Sequence, residues 1–107
     1  MKTVHVDCTK IQDWPTFYDV FSSTFGFPRV FGRNLDAWVD CMARLDEDLN
    51  EVRVQPGEVV ELALDAAEDF RARCPQQFRS LVECAVFVNL RRRDLGKADI
   101  LFVSRHP

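Results

Sequence analysis

Three short strand-like segments, separated by helix-like segments, limit the folds open to this chain more than any other feature. The first, about residues 2–8, alternates apolar and polar side chains; the second covers residues 59–64. The third, residues 100–103, is a continuous apolar run, which is typical of a buried parallel strand. Strands joined by helical crossovers pair in parallel, with right-handed connections. The sequence therefore predicts an α/β fold with a three-stranded parallel sheet and about four helices.

Capping residues and apolar stripes locate the first two helices. Asp13 is a suitable N-cap for a helix that has Pro15 in its first turn and ends at Gly26. A second helix, over about residues 35–45, follows Asn34, another good N-cap. Apolar residues at three- and four-residue spacing should face the core. In these two helices they are Trp14, Phe17, Phe21 and Phe25, then Leu35, Trp38, Met42 and Leu45.

Two further helices lie between the second and third strands. Asp65 and Glu68 have the spacing of a capping box, which predicts a short helix ending near Cys74. Pro75 begins a longer helix that ends at Leu95-Gly96. The core-facing stripe of this long helix is Phe78, Leu81, Ala85 and Val88.

Length and composition favour one domain over residues 1–107, with its own core: the chain has 107 residues, of which 47% are hydrophobic. The N-terminus is too short and too polar for a signal peptide, and no apolar run reaches the ~18 residues of a membrane span. We therefore expect a cytoplasmic protein that does not enter a membrane. The four cysteines lack C-x-x-C spacing, so they should be buried free thiols. They are Cys8, Cys41, Cys74 and Cys84.

Charge is unevenly distributed along the chain. The net charge of −3 argues against a nucleic-acid partner and mildly favours a basic protein. Residues 36–51 contain six acids and one base, a local net charge of −5, whereas residues 71–93 are basic. A solvated charged face is the simplest interpretation of such runs. Arg91, Arg92 and Arg93 should serve the C-terminal end of the long helix rather than bind phosphate.

Two carboxylates, Asp36 and Asp40, are neighbours on an outward face of the second helix. A same-sign pair at this spacing works weakly against the helix, which suggests that the pair has a function. No catalytic site is apparent, because His5 and His106 have no motif companions and no phosphate-binding or nucleophile motif is present. Further ligands at metal-binding spacing are also lacking. We therefore expect no enzymatic activity, no metal and no cofactor.

The segment around this helix resembles the barstar family, the intracellular inhibitors of a secreted bacterial ribonuclease. The order of predicted elements resembles that family over nearly the whole chain. The family pattern has Pro, an aromatic-Gly-x-Asn-Leu-Asp-Ala core and a following Asp-Cys. Nine residues match it in type and spacing: Pro28, Phe31, Gly32, Asn34, Leu35, Asp36, Ala37, Asp40 and Cys41.

The resemblance implies an inhibitor that plugs the basic active site of a barnase-like ribonuclease, and we expect the protein itself to be a monomer. Asp40 would be the central phosphate mimic, Asp36 a second acidic contact, and Gly32 and Asn34 would contribute from the loop–helix junction. The expected partner-binding residues are Val30, Phe31, Gly32, Asn34, Asp36, Val39, Asp40, Ala43 and Arg44.

Structural roles are equally open for two of these residues, since Asn34 could be a plain helix cap and Gly32 a turn residue with positive φ. The family pattern has aromatic residues where this chain has Val30 and Val39, and an acid where it has Arg33. These differences leave a second interpretation open, in which the partner is a basic protein other than a ribonuclease.

Overall fold

The strands form one parallel sheet in the order β1-β2-β3. The computed structural model describes residues 1–107, with β1 at Lys2–Asp7, β2 at Val60–Asp65 and β3 at Leu101–Arg105. The central strand pairs in parallel with both neighbours, placing Val4 beside Leu62 and Leu62 beside Val103. The predicted α/β class with a three-stranded parallel sheet is thereby confirmed.

Four helices accompany the sheet, as predicted. They are α1 (Trp14–Phe25), α2 (Leu35–Ala43), α3 (Ala67–Arg73) and α4 (Pro75–Asp94). The carboxylate of Asp13 accepts the backbone N–H of Thr16, and Gly26 ends α1 in the left-handed conformation at φ 65°. Pro75 begins α4 and Leu95 ends it. No helix combines the length and the apolar character needed to span a membrane.

The predicted capping box before α3 is wrong. The N-cap of α3 is Ala66, at φ 57°, and no side chain caps this helix. Asp65 is instead the last residue of β2, and its carboxylate lies 3.1 Å from Nδ1 of His5 on the neighbouring strand. The strand pairing thus directs the Asp65 side chain across the sheet rather than onto the helix that follows.

The core lies against one face of the sheet and contains Trp38. Val6, Leu62 and Leu64 of the sheet are completely buried, as is Trp38 of α2. The Trp38 ring lies 5.4 Å from that of Phe21, between centroids. The predicted core position of Trp38 is confirmed, and all four cysteines are buried and free, as expected.

Two details of the predicted second helix differ from the structure. Helix α2 ends at Ala43, although Leu45, two residues later, is still completely buried. Leu35, at the start of the helix, is only half-buried. The apolar stripe therefore continues into the core past the end of the helix and reaches the surface at its beginning.

A buried ion pair ties the end of α4 to the segment after α2. Arg92 is 3% exposed, and its guanidinium donates to both carboxylate oxygens of Asp46 at 3.1 and 2.9 Å. The same side chain donates to the carbonyls of Ala43 at 2.8 Å and Ala98 at 2.6 Å. Arg92 thus has a structural role, as expected, but it does not cap the last carbonyls of its own helix. Backbone N–H groups of the following turn satisfy those carbonyls instead.

Candidate partner-binding surface

The loop before α2 is anchored by aromatic packing. Phe31 is half-buried, and its ring centroid lies 4.8 Å from that of Phe27 and 5.9 Å from that of Tyr18 in α1. The Phe31 N–H donates to the carbonyl of Pro28 at 2.9 Å, which closes a turn. Val30, which lies between Pro28 and Phe31 in the sequence, is 90% exposed. Phe31 thus fixes the loop on α1, and Val30 is the side chain presented to solvent.

Arg33 holds the C-terminal end of this loop in a strained conformation. Its φ is 52°, a region that non-glycine residues rarely adopt. The Arg33 guanidinium donates to Asp19 at 2.9 Å and to the carbonyl of Pro15 at 3.1 Å. These contacts with α1 offset the backbone strain and neutralise the charge of Arg33 where the family pattern has an acid.

Gly32 is not in the positive-φ conformation considered for it; Arg33 takes that conformation instead. A Cβ added to Gly32 would lie 3.4 Å from Nδ2 of Asn34 and 3.5 Å from Cβ of Ala37. Both are ordinary van der Waals distances. The free protein therefore does not require glycine at this exposed position, either for backbone conformation or for space.

Helix α2 starts at a firm cap and exposes its acidic residues. Oδ1 of Asn34 accepts the backbone N–H of Ala37 at 2.7 Å, so the cap role of Asn34 is present. Asp36 and Asp40 are both exposed, and Val39 beside them is half-buried. Asp36 forms no ion pair and no side-chain hydrogen bond within the chain, so its carboxylate is free to meet a cation.

Asp40 lies between two arginines. Its oxygens are 3.5 Å from Arg44 and 3.6 Å from Arg91 of α4, and its side chain remains 52% exposed. Arg44 also donates through Nε to Glu47 at 3.1 Å, and this hydrogen bond raises the pKa of Arg44. The two arginines hold the Asp40 carboxylate in place and cancel part of its charge in the free protein.

The acidic run of residues 36–51 is less negative in space than in sequence. Arg92 of α4 neutralises Asp46 in the core, while Lys97 lies 3.8 Å from Glu47. Within the run itself, Asp48 pairs with the nearby Arg53 at 3.1 Å. The basic end of α4 thus folds against the acidic segment, and a local charge of −5 overstates the field that a partner would meet.

The nine expected contact residues fall into three groups. Asp36, Val39, Asp40 and Arg44 share the accessible side of α2, and the loop supplies Val30, Phe31, Gly32 and Asn34 at the start of that helix. Ala43 is only 6% exposed, and Arg92 occupies its carbonyl. Ala43 therefore offers a partner little more than the edge of a depression that it lines with Asp40, Arg44 and Arg91.

The sequence analysis did not predict the apolar side chains that α4 adds to this surface. Arg91 approaches Asp40, and the exposed side chains of Phe87 and Leu90 line a groove together with Asp36 and Val39 of α2. One signal was available: Phe87 and Leu90 are large apolar residues outside the core-facing stripe of the long helix.

Cys41 is the thiol next to Asp40 in α2. The Cys41 thiol is buried, and burial, followed by the charge of Asp40, raises its pKa to about 11. A thiol held protonated in this way is a poor nucleophile. His5 is elsewhere, paired with Asp65 on the sheet. No group of three or more His, Cys, Asp or Glu residues is placed to hold a metal ion.

Comparison with known proteins identifies the family. A family model described as Barstar (barnase inhibitor) matches residues 1–100, which include β1, β2 and all four helices. The chain belongs to the barstar family. No curated protein matches it. The description of the family names an inhibitor of barnase.

Proposed function

We propose that this barstar-family protein inhibits a barnase-like ribonuclease by covering its cationic active site with the loop before α2 and the accessible side of α2. One observation carries the proposal: Asp36 and Asp40 are exposed together on a helix whose start is fixed by the Asn34 cap. Ribonuclease active sites hold phosphates with cationic side chains. Carboxylates placed at the phosphate positions would complement that field.

In this proposal the two carboxylates have different roles. Asp40 lies beside two arginines, so its position is set before binding, and the enzyme's cations would have to compete with Arg44 and Arg91 for it. Asp36 has no such competitor and would attract the enzyme without losing an internal contact. We expect Asp40 to contribute more, since it lies deeper among charged groups that become desolvated in the complex.

A second candidate partner is a basic protein other than a ribonuclease. Two observations favour it: the accessible side of α2 has Val39 where the family pattern has an aromatic residue, and arginines already neutralise part of the charge of Asp40. The same carboxylates would then meet a different arrangement of cations.

Inhibition of barnase and of a panel of homologous secreted ribonucleases tests the proposal. We expect Asp40→Ala to raise the inhibition constant at least ~30-fold, the value that corresponds to a hot spot of about 2 kcal/mol. Asp36→Ala should have a smaller effect. Asp48→Ala is the matched control, because the Asp48 side chain is 94% exposed and forms its one ion pair with Arg53.

Each outcome separates the alternatives. Equal inhibition by the wild type and by Asp40→Ala would contradict a mechanism based on phosphate mimicry. A wild type that inhibits no ribonuclease of the panel, yet binds another basic protein through Asp36 and Asp40, would favour the second candidate.

A further inference from the structure

Helix α4 exposes two large apolar side chains next to α2. Phe87 is 59% exposed and Leu90 is 43% exposed. Together with the half-buried Leu35 and Val39 of α2 they line a groove, called here the α2–α4 groove. A contiguous exposed apolar patch with a polar rim is typical of a surface that another protein covers.

Unpaired carboxylates surround the α2–α4 groove. Asp36, Glu83 and Asp94 line it, and none of them forms an ion pair or a side-chain hydrogen bond within the chain. The nearby Asp40 and Asp46, by contrast, are both paired with arginines. Three free carboxylates around an apolar centre complement an apolar side chain that has Lys or Arg residues beside it.

The groove is continuous with the surface assigned to the ribonuclease. Asp36 and Val39 belong to both, and Arg91 of α4 contacts Asp40 while lining the groove. An enzyme seated on Asp40 would therefore also lie over α4. Of the other aromatic side chains near this surface, Trp38 is completely buried and Phe31 is half-buried against Phe27.

We propose that the α2–α4 groove receives an apolar side chain of the inhibited ribonuclease, flanked on the enzyme by Lys or Arg, and that Phe87 is the aromatic anchor of the interface. The proposal rests on the proposed function and names a second part of the same interface. Large aromatic side chains at the centre of an interface carry a disproportionate share of the binding energy. Phe87 is such a side chain, and it is exposed in the groove that Asp36 also lines.

Truncation of Phe87 tests this proposal, with Phe102 as the matched control. Phe102 is 53% exposed and lies in β3, in register with Glu61 of the sheet. With barnase and its homologues as probes, calorimetric titration should show Kd raised roughly 10- to 30-fold by Phe87→Ala. Phe102→Ala should leave Kd within about 2-fold. Melting curves of both variants establish that they are folded, as expected for exposed positions.

The charged rim has a separate kinetic signature. The double variant Glu83→Gln/Asp94→Asn should slow association, and the difference from the wild type should shrink as salt screens the carboxylates. Because neither residue has a partner within the chain, this variant loses no internal contact. An association rate equal to that of the wild type at low salt would refute the role of the rim.

The remaining outcomes distinguish this proposal from the one on which it rests. If the wild type inhibits the enzyme and Phe87→Ala binds as tightly as Phe102→Ala, the α2–α4 groove is not part of the interface, and the proposed function stands. If the wild type binds none of the ribonucleases, both proposals fail. A dimer of the isolated chain in sedimentation, abolished by Phe87→Ala, would assign the groove to a second copy and overturn this inference.

Discussion

At the level of single residues, Gly32 and Arg33 divide the requirements of the loop between them. Arg33 has the left-handed backbone and is held by Asp19 and the carbonyl of Pro15. Gly32 has neither a positive φ nor a crowded Cβ position. We propose that a partner approaches the backbone closely at Gly32, which would account for a glycine that the free protein does not need.

Gly32→Ala should therefore separate binding from stability. We expect the free energy of unfolding to change by less than about 1 kcal/mol, because the added methyl group meets only ordinary contacts. Affinity for the ribonuclease should fall, since the methyl group projects from the proposed interface. Denaturant titration and inhibition assays measure the two effects.

Gly26→Ala provides the contrast for that experiment. Gly26 has φ 65°, and a Cβ there would collide with the side chain of Glu51, so alanine should destabilise the protein by more than about 1 kcal/mol. A Gly32→Ala variant as unstable as Gly26→Ala would show that Gly32 is structural. Undiminished inhibition by a stable Gly32→Ala would remove Gly32 from the interface.

At the level of elements, local signals in the sequence predicted most boundaries correctly. Asp13, Gly26, Asn34 and Pro75 act on neighbouring backbone groups, and the structure has each of them at the expected helix end. Asp65 was assigned wrongly because its partner, His5, is 60 residues away in sequence. Local spacing contains no information about such a contact.

The buried Arg92–Asp46 pair connects α4 to the segment after α2 and should contribute strongly to stability. Its side chains are 4% and 10% exposed, so removal of one partner leaves a buried charge, and Asp46→Ala should cost about 3–5 kcal/mol at pH 7. Hydrogen bonds from Arg92 lower the pKa of Asp46 below its usual value. The stabilisation that ionised Asp46 provides is therefore fully present above the pKa of about 4 that Asp46 has in the unfolded chain. It is lost as pH falls through the lower pKa that Asp46 has in the folded protein.

Urea titrations at several pH values between 7 and 2 check this expectation. The difference in unfolding free energy between the wild type and Asp46→Ala should narrow at the acid end. Asp99→Ala is the control, because the Arg93–Asp99 pair is exposed and should contribute less than about 1 kcal/mol. A difference for Asp46→Ala that is as small as that for Asp99→Ala, or that stays constant in acid, would contradict the buried-pair account.

At the level of the whole molecule, the fold rearranges the charges that the sequence separates. Residues 36–51 are acidic and residues 71–93 basic, but α2 and α4 pack together, so Arg91 meets Asp40 and Arg92 meets Asp46. Composition could predict the sign of a partner's charge, but not which carboxylates of this chain remain outside ion pairs. That depends on the packing of α4, as does the exposure of Phe87.

The four cysteines are distributed over the whole molecule, and all of them are buried. Burial of their thiols should make the stability of the protein fall at alkaline pH. Burial is the main cause that raises the pKa of Cys8 to about 12 and of Cys41 to about 11, and it also raises the pKa of Cys84. In the unfolded chain these thiols ionise near pH 9, so their stabilising contribution is complete below that pH. It is lost progressively as pH rises toward the folded values.

Replacement of all four cysteines by alanine should therefore lower stability at pH 7 and flatten its alkaline decline. Between pH 9 and 11 the wild type should lose on the order of 1 kcal/mol per pH unit for each thiol that remains protonated, beyond any loss in the variant. Lysine and tyrosine titrations are common to both proteins and cancel in the comparison. Parallel stability curves for the two proteins would contradict the account.

The same variant should retain its affinity for the ribonuclease once it is folded, because all four thiols are buried. A folded variant that no longer binds would show that a cysteine serves the interface.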